Sequence, residues 1–302
     1  MNNNFLDEVR EQVGEIIKID EPMKLHTTFQ VGGMADYFAT PRTEEEVGIL
    51  LEKAKKYEIP VFVVGNGSNL LVSDKGYRGM IVQIGKEYSD VTVKGNIISA
   101  QAGASLAKIA RTAYENSLGG FEFAAGIPGT LGGAVSMNAG AYGGEIKDVI
   151  IDARVLTKEG EILVVPSDEL ELAYRSSVIT KKDYIVLGAR FSFAEKDKEE
   201  IKARMDELAF ARKSKQPLEF PSAGSTFKRP EGYFAGKLIM DAGLRGFQVG
   251  GARVSDKHCG FVINAGNATA ADIYSLILQV QEKVLGQFNV TLQPEVKMLG
   301  EF

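Results

Sequence analysis

The chain has 302 residues, 44% of them hydrophobic and 25% charged, a composition that excludes disorder as its main state. The formal net charge of -5 argues against binding of nucleic acid through phosphates, and one cysteine with two histidines argues against a disulfide framework or a metal site. No apolar run approaches the roughly 18 residues of a membrane span, and the acidic N-terminal sequence lacks an apolar leader, so a cytoplasmic protein is expected.

The first half of the sequence predicts helices and short strands in alternation. Thr43 with Glu46 is a capping-box pattern, and the apolar residues behind it recur at helical spacing, which predicts a helix that ends before Pro60. Ser105 opens a second helix with an apolar face of the same kind. Short apolar runs predict strands at 61–64, 81–84, 91–93 and 97–100.

The second half continues this mixed pattern and contains the expected domain boundary. Two apolar runs joined by the turn 158–160 predict a hairpin, and a charged helix over 194–216 marks the boundary. Thr269 precedes a long helix with an apolar stripe. The remaining predictions are hairpin strands at 149–156 and 161–165, a strand at 184–193, a helix at 234–241, strands at 252–254 and 261–264, and two short β runs separated by Pro294.

Two glycine-rich segments are the first indication of a ligand. Gly65 to Leu70 reads GNGSNL directly after a strand, where glycines allow backbone N–H groups to point at an anion such as a phosphate. The segment lacks the lysine of a Walker A loop and the third glycine of a GxGxxG motif. A phosphate site and a plain tight turn are therefore equally supported by these residues.

The second glycine-rich segment, residues 126–144, has seven glycines among nineteen residues. A glycine in regular structure costs up to ~1 kcal/mol relative to alanine, so a hairpin alone does not require this number. Backbone that lies flat against a large ligand does require it, and a loop packed closely on a neighbouring strand is the alternative. Two such segments in one domain suggest an extended ligand with phosphates in its middle, such as a dinucleotide.

Three polar residues outside these segments are candidates for chemistry. Arg175, in AYRSS, can hold a carboxylate in a bidentate fork. Ser225, in AGSTFK, can donate a proton to a basic carbon, whereas no histidine lies in a GxSxG context that would favour a serine hydrolase. Glu295, in QPEV, follows a stiffening proline. The alternatives are a surface arginine, a turn-forming serine and a charged residue at a strand edge.

The sequence resembles the UDP-N-acetylenolpyruvoylglucosamine reductases, also called UDP-N-acetylmuramate dehydrogenases. The resemblance covers about residues 21–300 and is carried by six segments in order: HTTFQVGG, VVGNGSNLL, AGIPGTLGGAVSMNAGAYGGEI, AYRSS, PSAGSTFK and QPEVK. It implies an α+β fold, with an FAD-binding domain of the vanillyl-alcohol-oxidase (PCMH) type and a C-terminal α+β substrate-binding domain. The expected division is an N-terminal segment 1–30, an FAD domain 31–196 and a substrate domain 197–302.

The resemblance also implies an activity, that of a cytoplasmic enzyme of peptidoglycan precursor synthesis with non-covalent FAD. NADPH and a UDP-sugar are the expected partners, and no obligate protein partner is expected. NADPH would reduce the flavin, and the enolpyruvyl ether of UDP-N-acetylglucosamine would then receive hydride at C3 from flavin N5 and a proton at C2. The product would be UDP-N-acetylmuramate.

Individual residues match the motifs of the family. Arg175 would stabilise the negative charge that develops next to the substrate carboxylate, and Glu295, in its protonated form, would share this task. Ser225 would deliver the proton to C2. The expected substrate-binding residues are Tyr174, Lys228 and Arg229. The expected FAD-binding residues are Gly65, Asn66, Gly67, Ser68, Asn69, Leu70, Gly126, Pro128, Gly129, Thr130, Gly132, Gly133, Ala134, Asn138 and Gly140.

Two features distinguish this sequence within the family it resembles. Arg229 stands where many relatives have asparagine, and it is a candidate contact for the UDP diphosphate together with Lys213 and Lys215. The short interval between Arg175 and Ser225 is typical of the shorter subtype, which lacks an insertion with a substrate-covering tyrosine. The alternative functions are another FAD-dependent oxidase or dehydrogenase of the same superfamily, and a non-enzymatic sugar-nucleotide-binding module.

Overall fold

The structure is a computed structural model and describes residues 2–302. Contacts divide the chain into two compact units that interleave along the sequence. Unit 1 consists of Met1–Lys18, Phe38–Asn66 and Met80–Arg212, and unit 2 consists of Ile19–Tyr37, Gly67–Gly79 and Lys213–Phe302. The sequence predicts contiguous domains instead, and that division at 30/31 and 196/197 stays a prediction.

Helices and strands alternate along most of the chain. The α-helices are Asn3–Val13, Glu44–Lys56, Leu106–Glu115, Leu131–Ser136, Val178–Lys181, Lys198–Lys215, Ala235–Asp241 and Ala270–Phe288, with 3-10 turns at Met23–Leu25, Lys86–Tyr88, Glu122–Ala124 and Ile146–Asp148. The strands are Ile17–Pro22, Met34–Ala39, Val61–Val64, Leu70–Val72, Tyr77–Gln83, Val91–Lys94, Ile97–Gln101, Leu118–Gly119, Gly140–Ala141, Gly144–Glu145, Ile150–Leu156, Ile162–Pro166, Ile185–Ser192, Ala194–Glu195, Gln248–Val249, Ala252–Val254, Val262–Asn264 and Lys297–Leu299. No helix in residues 2–302 has the length and apolar character needed to cross a membrane.

Unit 1 is built on a five-stranded antiparallel sheet. Its strand order is Ile162–Pro166, Ile150–Leu156, Ile185–Ser192, Ile97–Gln101 and Val91–Lys94. Phe191, on the middle strand, is fully buried, and its ring centroid lies 5.5 Å from that of Phe121. Phe193 contacts the same ring at 5.7 Å, so an aromatic cluster stabilises one face of the sheet.

The second glycine-rich segment packs on this sheet through the short helix Leu131–Ser136. The N–H of Leu131 donates to the carbonyl of Ala104 and that of Gly132 to the carbonyl of Ala102, both at 2.8 Å. A Cβ on Gly132 would lie 3.2 Å from the Cβ of Ala102. Close packing on a strand therefore explains this glycine. The sequence does not predict the helix, because two adjacent glycines have low helix propensity.

Unit 2 packs the long helix Ala270–Phe288 against a three-stranded antiparallel sheet. Thr269 caps the helix as predicted, since its Oγ1 accepts the N–H of Asp272 and the Asp272 carboxylate accepts the N–H of Thr269, each at 3.0 Å. The predicted apolar stripe is buried and consists of Ile273, Ile277, Val280 and Val284. The sheet order is Gln248–Val249, Ala252–Val254 and Val262–Asn264.

The chain after this helix differs from its prediction. The run at 290–293 forms no strand, and of the two predicted β runs only Lys297–Leu299 is one. It pairs in parallel with Leu70–Val72. Pro294 has no N–H to donate, and the residues around it form a short antiparallel ladder with residues 226–228, centred on the bridge between Pro294 and Phe227.

We expect Phe191→Ala to lower the free energy of unfolding by about 3–5 kcal/mol, because it removes a fully buried ring and leaves a cavity in unit 1. Phe191→Leu, which keeps most of the apolar volume, should cost less. Denaturant titration followed by circular dichroism measures both losses. Equal losses in the two variants would contradict a contribution from ring packing.

Candidate functional site

The first glycine-rich segment begins at Gly65, directly after the strand Val61–Val64. The side-chain amide of Gln83 donates to the carbonyl of Gly65 at 3.1 Å and fixes the start of the turn. A Cβ on Gly65 would collide with Oγ1 of Thr130, in the second glycine-rich segment. Unit 1 therefore brings Gly65 against Thr130, and this approach requires glycine.

Gly67 lies in the same turn and in unit 2. Its φ of +59° belongs to the left-handed region, and a Cβ would collide with the carbonyl oxygen of His26. The carbonyl of Gly67 accepts the N–H of Thr28 at 3.3 Å. Residues 26–28 thus pack directly on the first glycine-rich segment, a contact that the glycine pattern alone does not indicate.

Neither a positive φ nor a close contact requires glycine at Gly133, and the same is true of the helical glycines Gly48 and Gly286. Gly133 lies in the helix Leu131–Ser136 and is exposed. A Cβ there would meet one atom within 4 Å, the Oγ1 of Thr130 at 3.8 Å. A helical glycine costs about 1 kcal/mol relative to alanine. Gly133 differs from Gly48 in its place beside Thr130, which Gly65 also approaches, and the open space there leaves room for a ligand against the helix.

Arg212 contacts the second glycine-rich segment and was not identified from the sequence. Its guanidinium donates to the carbonyl of Gly126, and its Cζ lies 5.7 Å from the centroid of the Tyr142 ring. A Cβ on Gly126 would lie 2.8 Å from Nε of Arg212. Burial lowers the pKa of Arg212 from its usual value. The arginine belongs to a charged stretch in which the sequence offers no signal to distinguish it.

Arg175 lies in a tight turn that is held against the second glycine-rich segment. The turn is closed by backbone hydrogen bonds in both directions between Ala173 and Ser176, each at 3.1 Å, and Arg175 has a φ of +54°. Ser177 Oγ donates to the carbonyl of Ser136 at 2.7 Å. Because these contacts help to offset the strain of the left-handed conformation, the direction of Arg175 depends on the glycine-rich segment.

Asn138 contributes to the same arrangement with its whole side chain. Its Nδ2 donates to the carboxylate of Glu145 at 2.7 Å and to the carbonyl of Ala173 at 3.4 Å, and its Oδ1 accepts the N–H of Lys147 at 3.0 Å. The ammonium of Lys147, with the amide of Asn138 and the charge of Arg175, lowers the pKa of the Glu145 carboxyl. Binding of FAD by Asn138 stays a prediction, and its side chain positions the turn that carries Arg175.

Ser225 and Glu295 lie on two segments of unit 2 that pair as an antiparallel ladder. The N–H of Glu295 donates to the carbonyl of Thr226 at 2.8 Å, and the N–H of Lys228 donates to the carbonyl of Gln293 at 2.8 Å. Ser225 is exposed and Glu295 is half-buried. The structure therefore brings together two of the three predicted catalytic residues, although they are far apart in sequence.

Asn69 connects this ladder to the first glycine-rich segment. Its side-chain amide donates to the carbonyl of Glu295 at 3.1 Å, and its own carbonyl accepts the N–H of Lys297 at 3.0 Å. The parallel pairing of Leu70–Val72 with Lys297–Leu299 continues directly from these bonds. Unit 2 thus places the end of the predicted cofactor loop beside Glu295.

The predicted substrate-binding residues carry aromatic and cationic groups near these elements. In unit 1, the exposed ring of Tyr174 has the Cζ of Arg175 5.4 Å from its centroid. In unit 2, Arg229 lies with its Cζ 3.9 Å above the ring of Phe234, which is also exposed. Lys228 adjoins Arg229 and is half-buried. Such groups suit a ligand with both charge and flat apolar surface.

The remaining titratable groups offer less to a ligand. Within residues 2–302 no group of three or more histidine, cysteine, aspartate or glutamate side chains is arranged to hold a metal ion. Cys259 is buried, and burial raises the pKa of its thiol. The Nδ1 of His258 accepts the N–H of Gly260 at 3.1 Å, and its ring packs edge-on against Phe261 at 4.9 Å.

Comparison with known proteins decides the family. Residues 35–166 match the family model described as FAD binding domain, and residues 216–299 match that of the UDP-N-acetylenolpyruvoylglucosamine reductase C-terminal domain. The UDP-N-acetylenolpyruvoylglucosamine reductase of Agathobacter rectalis is 59% identical over 100% of both chains. The chain belongs to the UDP-N-acetylenolpyruvoylglucosamine reductase family. The protein of that name from Lachnoclostridium phytofermentans is 53% identical over 100% of this chain and 99% of its own.

Solved structures agree with membership of the reductase family. The UDP-N-acetylenolpyruvylglucosamine reductase of Thermus caldophilus has a TM-score of 0.81 and 36% identity over 94% of this chain and 98% of its own. An alkyldihydroxyacetonephosphate synthase, 18% identical with a TM-score of 0.50, shares the fold over 65% of this chain and 41% of its own. The predicted family, the α+β fold with an FAD-binding domain, the oxidoreductase class and the FAD cofactor are confirmed.

The residues at the second glycine-rich segment are compatible with FAD. Gly133 leaves open a surface that a side chain would fill, next to Thr130 and the start of the first segment at Gly65. Arg212 adds a cation at Gly126. The individual FAD-binding assignments, like the substrate-binding and catalytic ones, stay predictions.

We expect Gly133→Val to raise the dissociation constant for FAD by about 10- to 100-fold, because its branched side chain fills the open surface of the helix. The stability of the apoprotein should be nearly unchanged, since no protein atom lies closer than 3.8 Å to the added Cβ. Fluorescence titration of the apoprotein with FAD measures the first quantity, and thermal denaturation measures the second.

Gly48→Val is the matched control. Gly48 is also a helical glycine of unit 1, within Glu44–Lys56, and a Cβ there meets nothing within 4 Å. The affinity of Gly48→Val for FAD should equal that of the wild type. Equal FAD affinities of the Gly133 and Gly48 variants would show that the open surface at Gly133 is not a cofactor contact.

A second expectation concerns pH, because burial lowers the pKa of His258 below its usual value of 6.5. Between that lowered pKa and 6.5 the unfolded chain binds a proton that the folded chain does not, so the free energy of unfolding should decrease as the pH falls below 6.5. Denaturant titrations at a series of pH values test this. His258→Gln should weaken the pH dependence, and an unchanged dependence would assign it to other groups.

Proposed function

We propose that this protein reduces the enolpyruvyl group of UDP-N-acetylenolpyruvoylglucosamine with NADPH and FAD, yielding UDP-N-acetylmuramate for peptidoglycan synthesis. Membership of the reductase family supports the reaction. The observation that supports the catalytic assignment is the ladder of unit 2, which holds Ser225 and Glu295 on paired segments and joins Glu295 to Asn69 of the cofactor loop.

The reaction sets a clear requirement for the protein. FAD, when bound, relays a hydride from NADPH to C3 of the enolpyruvyl double bond. The electron pair of that double bond then lies on C2, next to the substrate carboxylate, and a proton must reach C2 to complete the lactyl group. The protein has to stabilise this negative charge and supply the proton.

Arg175 suits the first task. A guanidinium stays charged at all relevant pH values and can bind a carboxylate through two parallel hydrogen bonds. Its turn is fixed by Ser177 and by Asn138, which reduces the reorganisation needed when the charge develops. We assign Glu295 to the same task in its protonated form, since only a neutral carboxyl can donate a hydrogen bond to the developing charge instead of repelling it. Its backbone is held by Thr226 and Asn69.

Ser225 suits the second task. A serine hydroxyl is a weak acid, but the carbon of an enolate beside a carboxylate is a strong base, so direct proton transfer is feasible. The side chain is exposed in the structure, as a residue that meets a substrate must be. The preceding turn at Gly224 has a φ of +73°, and a Cβ there would meet nothing within 4 Å, so the approach to Ser225 from that side is open.

The UDP moiety requires cations and a flat surface. Arg229, stacked on Phe234, offers both and is our candidate contact for the diphosphate, with Lys228 as its neighbour. Tyr174 is the corresponding candidate in unit 1. We further propose that the enzyme acts in the cytoplasm, where NADPH and nucleotide sugars are available, and without an obligate protein partner.

We expect Ser225→Ala to leave the reduction of flavin by NADPH nearly unchanged and to slow the reoxidation of reduced flavin by the enolpyruvyl substrate by about 10²- to 10⁴-fold, because only the second step needs the proton. Anaerobic stopped-flow absorbance of the flavin separates the two half-reactions.

Ser222→Ala is the matched control, since it removes a serine hydroxyl from the same segment of unit 2 without altering the ladder. Both of its half-reactions should resemble those of the wild type. If Ser225→Ala slowed both half-reactions equally, the result would contradict a role for Ser225 as proton donor. A wild-type protein whose reduced flavin is not reoxidised by the enolpyruvyl substrate would favour another FAD-dependent oxidase or dehydrogenase.

A further inference from the structure

Thr226 lies between the two predicted catalytic residues of unit 2 and is fully buried, with 0% of its surface exposed. Three hydrogen bonds tie it to its surroundings. Its N–H donates to the carbonyl of Gly260 at 2.8 Å, its Oγ1 accepts the N–H of Val262 at 2.9 Å, and its carbonyl accepts the N–H of Glu295 at 2.8 Å.

The hydroxyl of Thr226 is the part of this arrangement that depends on side-chain identity. Val262 is buried and begins the strand Val262–Asn264, and its N–H finds its acceptor in Oγ1 of Thr226. A buried N–H without an acceptor is costly, so loss of the hydroxyl favours a shift of the segment or entry of water. Either change would move the backbone that precedes and follows Thr226.

Thr226 is the anchor nearest to Ser225. On the other side the chain is held at Ala223, which is buried, and by the bridge between Ser222 and Ile263, two and three residues away from Ser225. Gly224, which has a φ of +73°, separates Ser225 from these contacts, and no atom lies within 4 Å of the position of a Cβ there. Ser225 is itself exposed, so the contacts of the adjoining Thr226 are the ones that bear most directly on its position.

Glu295 depends on the same residue through its backbone. Its N–H bonds to the carbonyl of Thr226, and two residues further along the N–H of Lys228 bonds to the carbonyl of Gln293. A displacement of Thr226 toward or away from Val262 would thus move Ser225 directly and change the distance between Ser225 and Glu295. A misplacement of about 1 Å in an active site can cost on the order of 10²-fold in rate.

We propose that Thr226 is a positioning residue for catalysis, whose hydroxyl sets Ser225 and Glu295 in register by bonding to the N–H of Val262. This inference rests on the proposed function. Thr226 does not contact the reacting atoms, and it acts through the two residues that its backbone holds.

Thr226→Val and Thr226→Ser test the proposal in the FAD-loaded enzyme. In Thr226→Val, which keeps the shape but loses the hydroxyl, the rate constant for reoxidation of the reduced flavin at saturating enolpyruvyl substrate should fall by about 10- to 100-fold. Its rate constant for reduction by NADPH, its FAD content and its dissociation constant for the substrate should change by less than about threefold. Thr226→Ser restores the acceptor for Val262 and should recover the reoxidation rate to within about threefold of the wild type.

Thr269→Val is the matched control for loss of stability. It removes the same kind of hydrogen bond in unit 2, from the N–H of Asp272 to a threonine Oγ1 at 3.0 Å, at an exposed helix N-terminus outside the ladder. It should lower the thermal midpoint without changing the reoxidation rate. If Thr226→Val yields insoluble protein, Thr226→Ala removes the same hydroxyl with less bulk and is measured in its place.

The outcomes separate this inference from the proposed function. If the enolpyruvyl substrate reoxidises the flavin of the wild type and of Thr226→Val at the same rate, the positioning role is overturned and the proposed reaction is not. Failure of Thr226→Ser to recover the rate would also overturn it. A wild-type flavin that the substrate does not reoxidise would overturn the proposed function itself.

Discussion

The pairing of residues 226–228 with residues 293–295 is the constraint on which the candidate site of unit 2 depends. Its backbone hydrogen bonds join Thr226 to Glu295 and Lys228 to Gln293. The ladder continues into Asn69 and the parallel strands Leu70–Val72 and Lys297–Leu299, so the cofactor loop and a predicted catalytic carboxylate belong to one hydrogen-bonded network. Backbone bonds of this kind fix position without requiring particular side chains, which leaves Ser225 and Glu295 available for chemistry.

The glycines of the two ligand segments serve different physical purposes. Gly65 and Gly67 are required by the protein itself, because a Cβ would collide with Thr130 in one case and with the His26 carbonyl in the other. Gly132 permits close packing on Ala102. Gly133 meets none of these needs, and its contact with FAD stays a prediction. Packing of the protein thus accounts for three of these four glycines, and cofactor binding is the prediction that remains for the fourth.

In unit 1, hydrogen bonds to backbone likewise position the predicted catalytic residue Arg175. Arg175 adopts a left-handed conformation that costs on the order of 1–3 kcal/mol, and the turn persists because Ser177 and Asn138 bind it to the second glycine-rich segment. The segment predicted to bind FAD therefore also directs the guanidinium. Each unit couples a glycine-rich element to a predicted catalytic residue through hydrogen bonds to backbone.

The sequence by itself determined the helices with clear caps and apolar stripes, such as those that begin after Thr43, Ser105 and Thr269, and the motifs that identify the family. These features are local, so periodicity and capping chemistry reveal them. The sequence could not reveal the helix Leu131–Ser136, whose first two N–H groups, those of Leu131 and Gly132, bond to the carbonyls of Ala104 and Ala102. Nor could it reveal the contacts of Arg212 or the buried bonds of Thr226. Their partners lie 30 or more positions away in sequence, and only the folded chain decides which distant N–H and carbonyl groups meet.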